Sequence, residues 1–149
     1  MGCIIKAAKS GEINVILHCC NCFHTMGAGV AKAIKEEWPG AFQADLKTPR
    51  GDRSKMGSYS YHQQGELVII NLYAQYRYSR LRKQSLEYPP LRWALRSVAE
   101  RLRAWQEKGV DVRIGYPLLG CGLAGGNWDL VKEIIDEQLE GLNHQLYTL

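Results

Sequence analysis

The chain has 149 residues, of which 46% are hydrophobic and 23% are charged. This composition is typical of a folded soluble domain and excludes a largely disordered chain. No apolar run approaches the about 20 residues that cross a bilayer, so we predict neither a membrane span nor a membrane partner. The net charge of +4 suits an anionic ligand and does not by itself indicate nucleic-acid binding. We expect a single domain over residues 1–149.

The five cysteines are an odd number, and three of them lie within residues 19–22. Such a set is a poor disulfide framework, so we expect a reducing, cytoplasmic location. The first residues also lack the apolar core of a secretory signal. With His18 and His24 on either side, the cysteine spacing could suggest zinc. Strand alternation turns Cys19 and Cys20 to opposite faces and no second ligand pair has matching spacing, so we predict no metal site. We also expect no cofactor.

Apolar periodicity predicts the first elements of the chain. A continuous apolar run indicates a buried strand over residues 13–19, and a loop over residues 21–27 follows it. Residues 28–37 then have the spacing of an amphipathic helix. Pro39 and Gly40 should end this helix.

A hairpin is predicted next, with strands over residues 56–61 and 66–72. An amphipathic helix over residues 91–105 follows it. The last predicted elements are a strand over residues 110–118, a helix over residues 127–139 that Asn127 caps, and a strand over residues 145–149.

Strands and helices therefore mostly alternate, with one hairpin in the middle. This order predicts the α/β class, as a three-layer α/β/α sandwich with a mixed central sheet. In such sheets, ligands bind at the carboxyl ends of the strands, where loops enter helices. Two glycine-rich segments, residues 25–31 and 120–126, occupy that position.

Both glycine-rich segments suit a bound phosphate. Glycine lets the backbone approach a ligand closely, and a helix N-terminus offers free N–H groups and a favourable dipole. One such segment alone would be read as an ordinary tight turn, but two in equivalent positions favour a phosphate-containing ligand. Neither segment has the lysine of a P-loop or the fingerprint of a dinucleotide-binding turn.

The two segments carry a specific resemblance. Asn21-Cys-Phe-His-Thr-Met-Gly-Ala-Gly-Val-Ala31 and residues 114–128 resemble the macrodomain family. The most similar branch includes ADP-ribose 1″-phosphate phosphatases, terminal ADP-ribose glycohydrolases, and bacterial and phage relatives. The resemblance covers nearly the whole chain and implies the macrodomain fold. It also implies ADP-ribose or ADP-ribose 1″-phosphate as the ligand, with an ADP-ribosylated protein as a further possible partner.

The resemblance implies particular site residues. Asn21 matches the asparagine that contacts the distal ribose, and His18 begins a His-Cys-Cys-Asn pattern that also resembles the phosphatases of this branch, so these two are the candidate catalytic residues. His18 would act as a general acid or orient water, and a core histidine bonded to a backbone carbonyl is an equally open alternative. The implied ligand-binding residues are Asn21, Gly27, Ala28, Gly29, Val30, Gly120, Cys121, Gly122, Leu123, Ala124, Tyr147 and Leu149. Tyr147 and Leu149 match positions beside the adenine.

The chain departs from the family pattern at two places. Cys3 stands where the family has an adenine-binding aspartate, and the strand before it is missing or very short. The lysine and aspartate that remove ADP-ribose from proteins correspond to residues 73–76, which contain no lysine, and to Ala124. The resemblance therefore favours hydrolysis of ADP-ribose 1″-phosphate. A non-catalytic reader and a protein de-ADP-ribosylating hydrolase are the alternatives.

Residues 73–83 mix three tyrosines with three arginines and a lysine. We interpret this segment as a lid over an anionic nucleotide. The alternatives are a solvated loop whose tyrosines pack on the sheet and, less favoured, an RNA-binding surface. Residues 50–55 are predicted to form a solvent-exposed charged turn.

Overall fold

The computed structural model describes residues 2–77, 85–121 and 124–148. Its helices are α1 (Gly2–Ser10), α2 (Gly29–Glu37), α3 (Pro39–Leu46), α4 (Tyr88–Glu107) and α5 (Trp128–Gln138). Its strands are β1 (Val15–Cys20), β2 (Tyr59–Gln64), β3 (Leu67–Tyr73), β4 (Arg113–Tyr116) and β5 (Asn143–Leu146). The strands form one sheet in the order β2-β3-β1-β4-β5. Only the β2–β3 pairing is antiparallel within the described sheet, so the predicted mixed sheet and its hairpin are confirmed.

Helices cover both faces of the sheet. On one face, α4 and α5 pack over β-strand residues such as Leu17 and Ile70. On the other, α1, α2 and α3 pack over Ile16 and Ile69. Successive strand residues point to opposite faces, so each central strand contributes to both cores. The predicted three-layer α/β/α arrangement is confirmed.

Pro39 begins a helix, although the sequence pattern predicted that it would only end one. The preceding helix does stop at Glu37, but α3 starts immediately, with Pro39 in its first turn. Proline is suited to that position, because its missing N–H would have no partner there and its φ is already helical. The pattern also failed to predict α1, so two helices of the α1–α3 layer came from the structure alone.

Several boundaries shifted from the predicted ones. Strand β2 starts at Tyr59 instead of residue 56, because Arg53–Lys55 forms a short 3-10 turn that the Asp52 side chain caps. Strands β4 and β5 are short, with four residues each. The predicted cap of α5 is confirmed, since the Asn127 side chain accepts the Asp129 N–H at 2.9 Å. No helix in the described part of the chain is long and apolar enough to span a membrane.

Candidate functional site

A cavity of about 600 Å³ lies at the carboxyl ends of the central strands. The strand order puts the ends of β3 and β5 on opposite sides of β1 and β4. Three strand spacings of about 4.8 Å separate β3 from β5, so the cavity edge spans about 14 Å. Its volume is within the range of about 300–1,000 Å³ that is usual for small-molecule sites.

Most of the predicted site residues lie on the wall of this one cavity. They are His18, Asn21, Gly27, Ala28, Gly29, Val30, Gly120, Cys121, Ala124 and Tyr147. The remaining three, Gly122, Leu123 and Leu149, are outside the described residues. The topology therefore unites two loops that are about ninety residues apart in the chain.

The first glycine-rich loop joins β1 to α2. The earliest backbone bond of this helix runs from the Lys32 N–H to the Ala28 carbonyl. The N–H groups of the first turn before Lys32 have no partner within the helix, which is the arrangement that binds anions. Gly29 has a φ of +58°, a left-handed conformation that residues with a side chain rarely adopt.

The Asn21 side chain holds the shape of this loop. Its Oδ1 accepts the Phe23 N–H at 2.8 Å, and its Nδ2 donates to Thr25 Oγ1 at 2.6 Å. His24 and Met26 both have positive φ, so the loop carries backbone strain that these bonds help to maintain. An amide nitrogen has two hydrogens, so Asn21 can donate to a ligand as well as to Thr25.

The second glycine-rich loop is anchored by backbone bonds and close packing. The Gly126 N–H donates to the Gly120 carbonyl at 2.8 Å, and the Ala124 carbonyl accepts the Ser85 N–H at 2.8 Å. A Cβ on Gly120 would stand 2.5 Å from Leu86 Cδ1, and the φ of Gly120 is +65°. Both the packing and the backbone conformation therefore require glycine at this position.

An aromatic residue marks the β5 side of the cavity. Tyr147 donates its hydroxyl to Glu12 at 2.5 Å, and its ring lies against Gly115, where a Cβ would come within 2.9 Å of it. Cys3 also lines the cavity, from helix α1. The described residues before β1 form this helix and no strand, in agreement with the expected departure from the family pattern.

The β3 side of the cavity is polar, and behind it runs a chain of buried and partly buried hydrogen bonds that we call the polar relay. It consists of His18, Asn71, Ser60, Tyr73 and Asp45. His18 Nε2 bonds Asn71 Oδ1 at 2.6 Å, and Asn71 Nδ2 donates to Ser60 Oγ at 2.9 Å. Ser60 Oγ bonds the Tyr73 hydroxyl at 2.7 Å, and that hydroxyl donates to Asp45 Oδ1 at 2.6 Å.

The donors of the polar relay all point toward Asp45. Asn71 also uses Nδ2 to donate to the Ala41 carbonyl, so its Oδ1 is the acceptor and His18 Nε2 carries the hydrogen. The Tyr73 proton is committed to Asp45, so the Ser60 hydroxyl must donate to Tyr73. Hydrogen bonds in series strengthen one another. The relay therefore holds the Asp45 carboxylate in place through its Oδ1.

His18 is neutral near pH 7. Burial lowers its pKa to about 4, against a smaller opposing effect of the Asn71 hydrogen bond. Its unprotonated Nδ1 lies 3.8 Å from Cys20 Sγ. This state disfavours the general-acid role and is compatible with orienting water. His18 is buried, as the core-histidine alternative expects, but its hydrogen-bond partner is the side-chain amide of Asn71 and not a backbone carbonyl.

Two buried charged residues were not predicted for the site. Asp45 is fully buried on the cavity wall, and its Oδ2 has no hydrogen-bond partner among the described residues. Lys55 was predicted to be exposed but is only 6% exposed. Its Nζ donates to Thr48 Oγ1 at 2.6 Å and lies 4.5 Å from the centroid of the Tyr73 ring. A prediction of helix α3 would have placed Asp45 on its buried side, because Ala41 and Asp45 are four residues apart and both face the core.

The lid interpretation fails for the start of its segment. Tyr73 is a fully buried residue of β3, and Tyr76 packs edge-on against Phe23 at 5.0 Å between ring centroids. Arg77 is exposed beside the Tyr76 ring. The other lid residues, 78–83, are outside the described part of the chain.

The two cysteines on the α4 and α5 side of the cavity, Cys19 and Cys121, are neutral thiols. Cys19 packs toward the α4 and α5 face, whereas Cys20 belongs to the opposite core, as strand alternation predicts. Burial raises the pKa of Cys19 to about 12 and also raises that of Cys121. In the ranges 2–77, 85–121 and 124–148, no group of three or more His, Cys, Asp or Glu side chains could hold a metal ion.

Comparisons with known proteins agree on one family. The model of the Macro domain matches residues 17–135. An uncharacterized 17.5 kDa protein of Enterobacteria phage T4 is 36% identical over 81% of this chain and 77% of its own length. The ADP-ribose glycohydrolase OARD1 of Bos taurus is 26% identical over 93% of this chain and 84% of its own. The macrodomain of Thermus aquaticus DarG has a TM-score of 0.71 and 26% identity, covering 92% of this chain and 90% of that one.

Proposed function

The chain belongs to the macrodomain family, and on that premise we propose that it binds ADP-ribose and hydrolyses ADP-ribose 1″-phosphate to ADP-ribose and phosphate. The observation that carries this proposal is one cavity that combines an aromatic side, two glycine-rich loops and a polar side. These three parts suit a base, a diphosphate and a ribose in that order. The bovine relative is named an ADP-ribose glycohydrolase, which supports a hydrolase acting on an ADP-ribose derivative.

The proposed pose follows the strand order. The adenine lies on the β5 side beside Tyr147, and the diphosphate lies between the two loops, where the first-turn N–H groups of α2 bind it. The distal ribose lies beside Asn21, whose amide nitrogen can donate to a ribose hydroxyl. This pose brings the 1″ substituent to the polar side of the cavity.

The chemistry we propose is direct attack by water on the phosphorus. The raised pKa values of Cys19 and Cys121 make both thiols poor nucleophiles, which argues against a covalent intermediate on either. Backbone N–H groups of the loops stabilise the charge that develops on the phosphoryl oxygens. Neutral His18 helps to hold the polar side in place through Asn71.

The reader and the protein de-ADP-ribosylating hydrolase remain the alternatives. Ala124 lies on the cavity wall and cannot take part in acid–base chemistry. Residues 73–76, at the end of β3, contain no lysine. We therefore expect little or no release of ADP-ribose from a glutamate-modified protein, and we do not propose an RNA ligand. A reducing, cytoplasmic setting remains our proposal from the odd, clustered cysteines.

The proposal is tested by calorimetry with ADP-ribose, followed by assays of phosphate release from ADP-ribose 1″-phosphate with the same sample. We expect micromolar affinity, about −8 kcal/mol, and slow phosphate release. No heat at millimolar ADP-ribose would overturn the proposal. Binding of ADP-ribose without phosphate release would favour the non-catalytic reader. Efficient release of ADP-ribose from modified glutamate would favour the protein de-ADP-ribosylating hydrolase.

A further inference from the structure

We propose that Asp45 is the general base of this hydrolysis, and that its Oδ2 accepts the proton of the water that attacks the phosphorus. The inference rests on the proposed function and deepens it. Its starting point is a carboxylate that is fully buried on the cavity wall and has an oxygen with no hydrogen-bond partner in the described chain. Buried polar atoms in folded proteins are almost always paired, so this exception points to a group that enters the cavity.

The position of Asp45 matches the reacting end of the proposed pose. Helix α3, which carries Asp45, packs on β2 and β3. The adenine of the ligand would lie on the opposite side of the cavity, beside Tyr147 at the end of β5. Gln75, which follows β3, and Asn21, which follows β1, line the cavity with Asp45. The distal ribose and its 1″-phosphate therefore face the side that holds the carboxylate.

The polar relay prepares the carboxylate to act as a base. Tyr73 donates to Oδ1, so this oxygen is occupied and Oδ2 is the one left for water. Burial raises the pKa of Tyr73 and keeps its hydroxyl protonated as a donor. Lys55 places a buried cation over the ring of the same tyrosine. The hydrogen bond from Tyr73 fixes the carboxylate in one orientation.

The proposed step is balanced with water as the only other reactant. The water oxygen forms a bond to phosphorus, and the bond between phosphorus and the oxygen on the ribose C1″ breaks. Asp45 takes one water proton and then returns it to that departing ribose oxygen. Asp45 thereby supplies the acid function that neutral His18 lacks. The products are ADP-ribose and phosphate, and the carboxylate is regenerated.

The decisive variant is Asp45→Asn, which keeps the shape and an acceptor for Tyr73 but cannot take a proton. We expect kcat for ADP-ribose 1″-phosphate to fall about 100-fold or more, in keeping with general-base catalysis. KM and the Kd for ADP-ribose should stay within about 3-fold of wild type. A structural role would instead lower the Tm and weaken binding. Exposed Asp111→Asn is the matched control and should change none of these quantities.

A second pair of measurements keeps the test open if Asp45→Asn folds poorly. Asp45→Ala leaves a gap in the wall, and added formate should restore part of its phosphate release, because formate is a small carboxylate. Tyr73→Phe keeps the carboxylate and removes the donor to Oδ1, so its kcat should fall about 10-fold through lost positioning. A Tyr73→Phe variant with wild-type kcat would overturn the relay's part in the reaction.

The outcomes separate this inference from the proposed function. An Asp45→Asn enzyme with kcat within about 3-fold of wild type overturns Asp45 as the base, while the phosphatase activity stands. Wild-type protein that binds ADP-ribose and releases no phosphate overturns the general base together with the phosphatase, while ligand binding stands. Wild-type protein that binds no ADP-ribose overturns the proposed function itself.

Discussion

The two faces of the sheet are built from the same strands and differ sharply in chemistry. The core under α4 and α5 is formed by apolar side chains, Leu17, Ile70 and Leu72 among its strand residues. The opposite face carries His18, Asn71 and Tyr73 from the same two strands. Among the described residues, the buried polar or charged side chains are His18, Asn21, Asp45, Lys55 and Asn71. They lie on or beside the α1–α3 face.

This difference shows how one sheet separates stability from chemistry. Alternation along β1 and β3 sends each residue to the face opposite its neighbour, so an apolar core and a polar relay coexist on adjacent positions. Both faces contribute burial free energy through their apolar cores, whereas the hydrogen bonds of the polar relay add little net stability. Changes in the core under α4 and α5 should therefore affect unfolding alone, whereas changes on the α1–α3 face can also affect ligand binding and turnover.

The largest effect should come from Leu95→Ala on the apolar face. Leu95 is fully buried against the sheet, and removing its side chain should lower the free energy of unfolding by about 2–5 kcal/mol. Urea denaturation measures this, and the Kd of the folded fraction for ADP-ribose should not change. Exposed Leu130→Ala, on α5, is the control and should cost less than about 0.5 kcal/mol. Equal losses for the two variants would contradict the assignment.

The polar face should give the protein a pH-dependent stability. The pKa of His18 is lowered to about 4 by burial, so between pH 4 and 6.5 the unfolded state binds a proton that the folded state does not. The free energy of unfolding should therefore fall as pH decreases through this window, by about 3 kcal/mol in total from this group.

Urea denaturation from pH 7 to pH 4 measures this slope. The free energy of unfolding of His18→Gln should depend less on pH than that of wild type over the window. The difference between the two slopes isolates His18 from other groups such as His144. His62→Gln makes the same substitution at a partly exposed position of β2 and is the control for the exchange itself. If the free energy of unfolding fell equally with pH for wild type and His18→Gln, His18 would be protonated in the folded protein as it is in the unfolded one.

Gly29→Glu should separate ligand binding from folding. It adds bulk and negative charge at the first loop, where the diphosphate is proposed to bind, so the affinity for ADP-ribose should fall about 100-fold or more. Gly65→Glu is a close control, because both glycines have open space at Cβ and left-handed φ, +58° and +61°. Both variants should lose about 1–2 kcal/mol of stability, but Gly65→Glu should bind normally. Normal calorimetric binding by folded Gly29→Glu would remove this loop from the phosphate site.

The smallest effect should come from Asn21→Ala. We expect kcat for ADP-ribose 1″-phosphate to fall about 10- to 100-fold through lost positioning of the ribose. Thr25→Val breaks the same bond within the loop but leaves the Asn21 amide in place. Steady-state rates of phosphate release should then fall much less for Thr25→Val. If the two variants lose the same activity, Asn21 acts only through the shape of its loop.

The sequence by itself determined the α/β class, the hairpin, and the two loops that meet at the cavity. These features depend on local patterns: apolar periodicity within one element and glycine between a strand and a helix. The Asn127 cap is equally local, because its partner Asp129 is two residues away. The resemblance to macrodomains was also carried by residues in these loops.

Only the tertiary structure decided the polar relay. His18 and Asn71 are 53 residues apart in the chain, and Asp45 and Tyr73 are 28 apart, yet each pair forms a hydrogen bond of 2.6 Å. No periodicity of one element reveals such a pair, since the partners meet only when β3 pairs with β1 and α3 covers them. Lys55 and Asp45 resemble surface residues in the sequence, because burial of a charge depends on what packs around it.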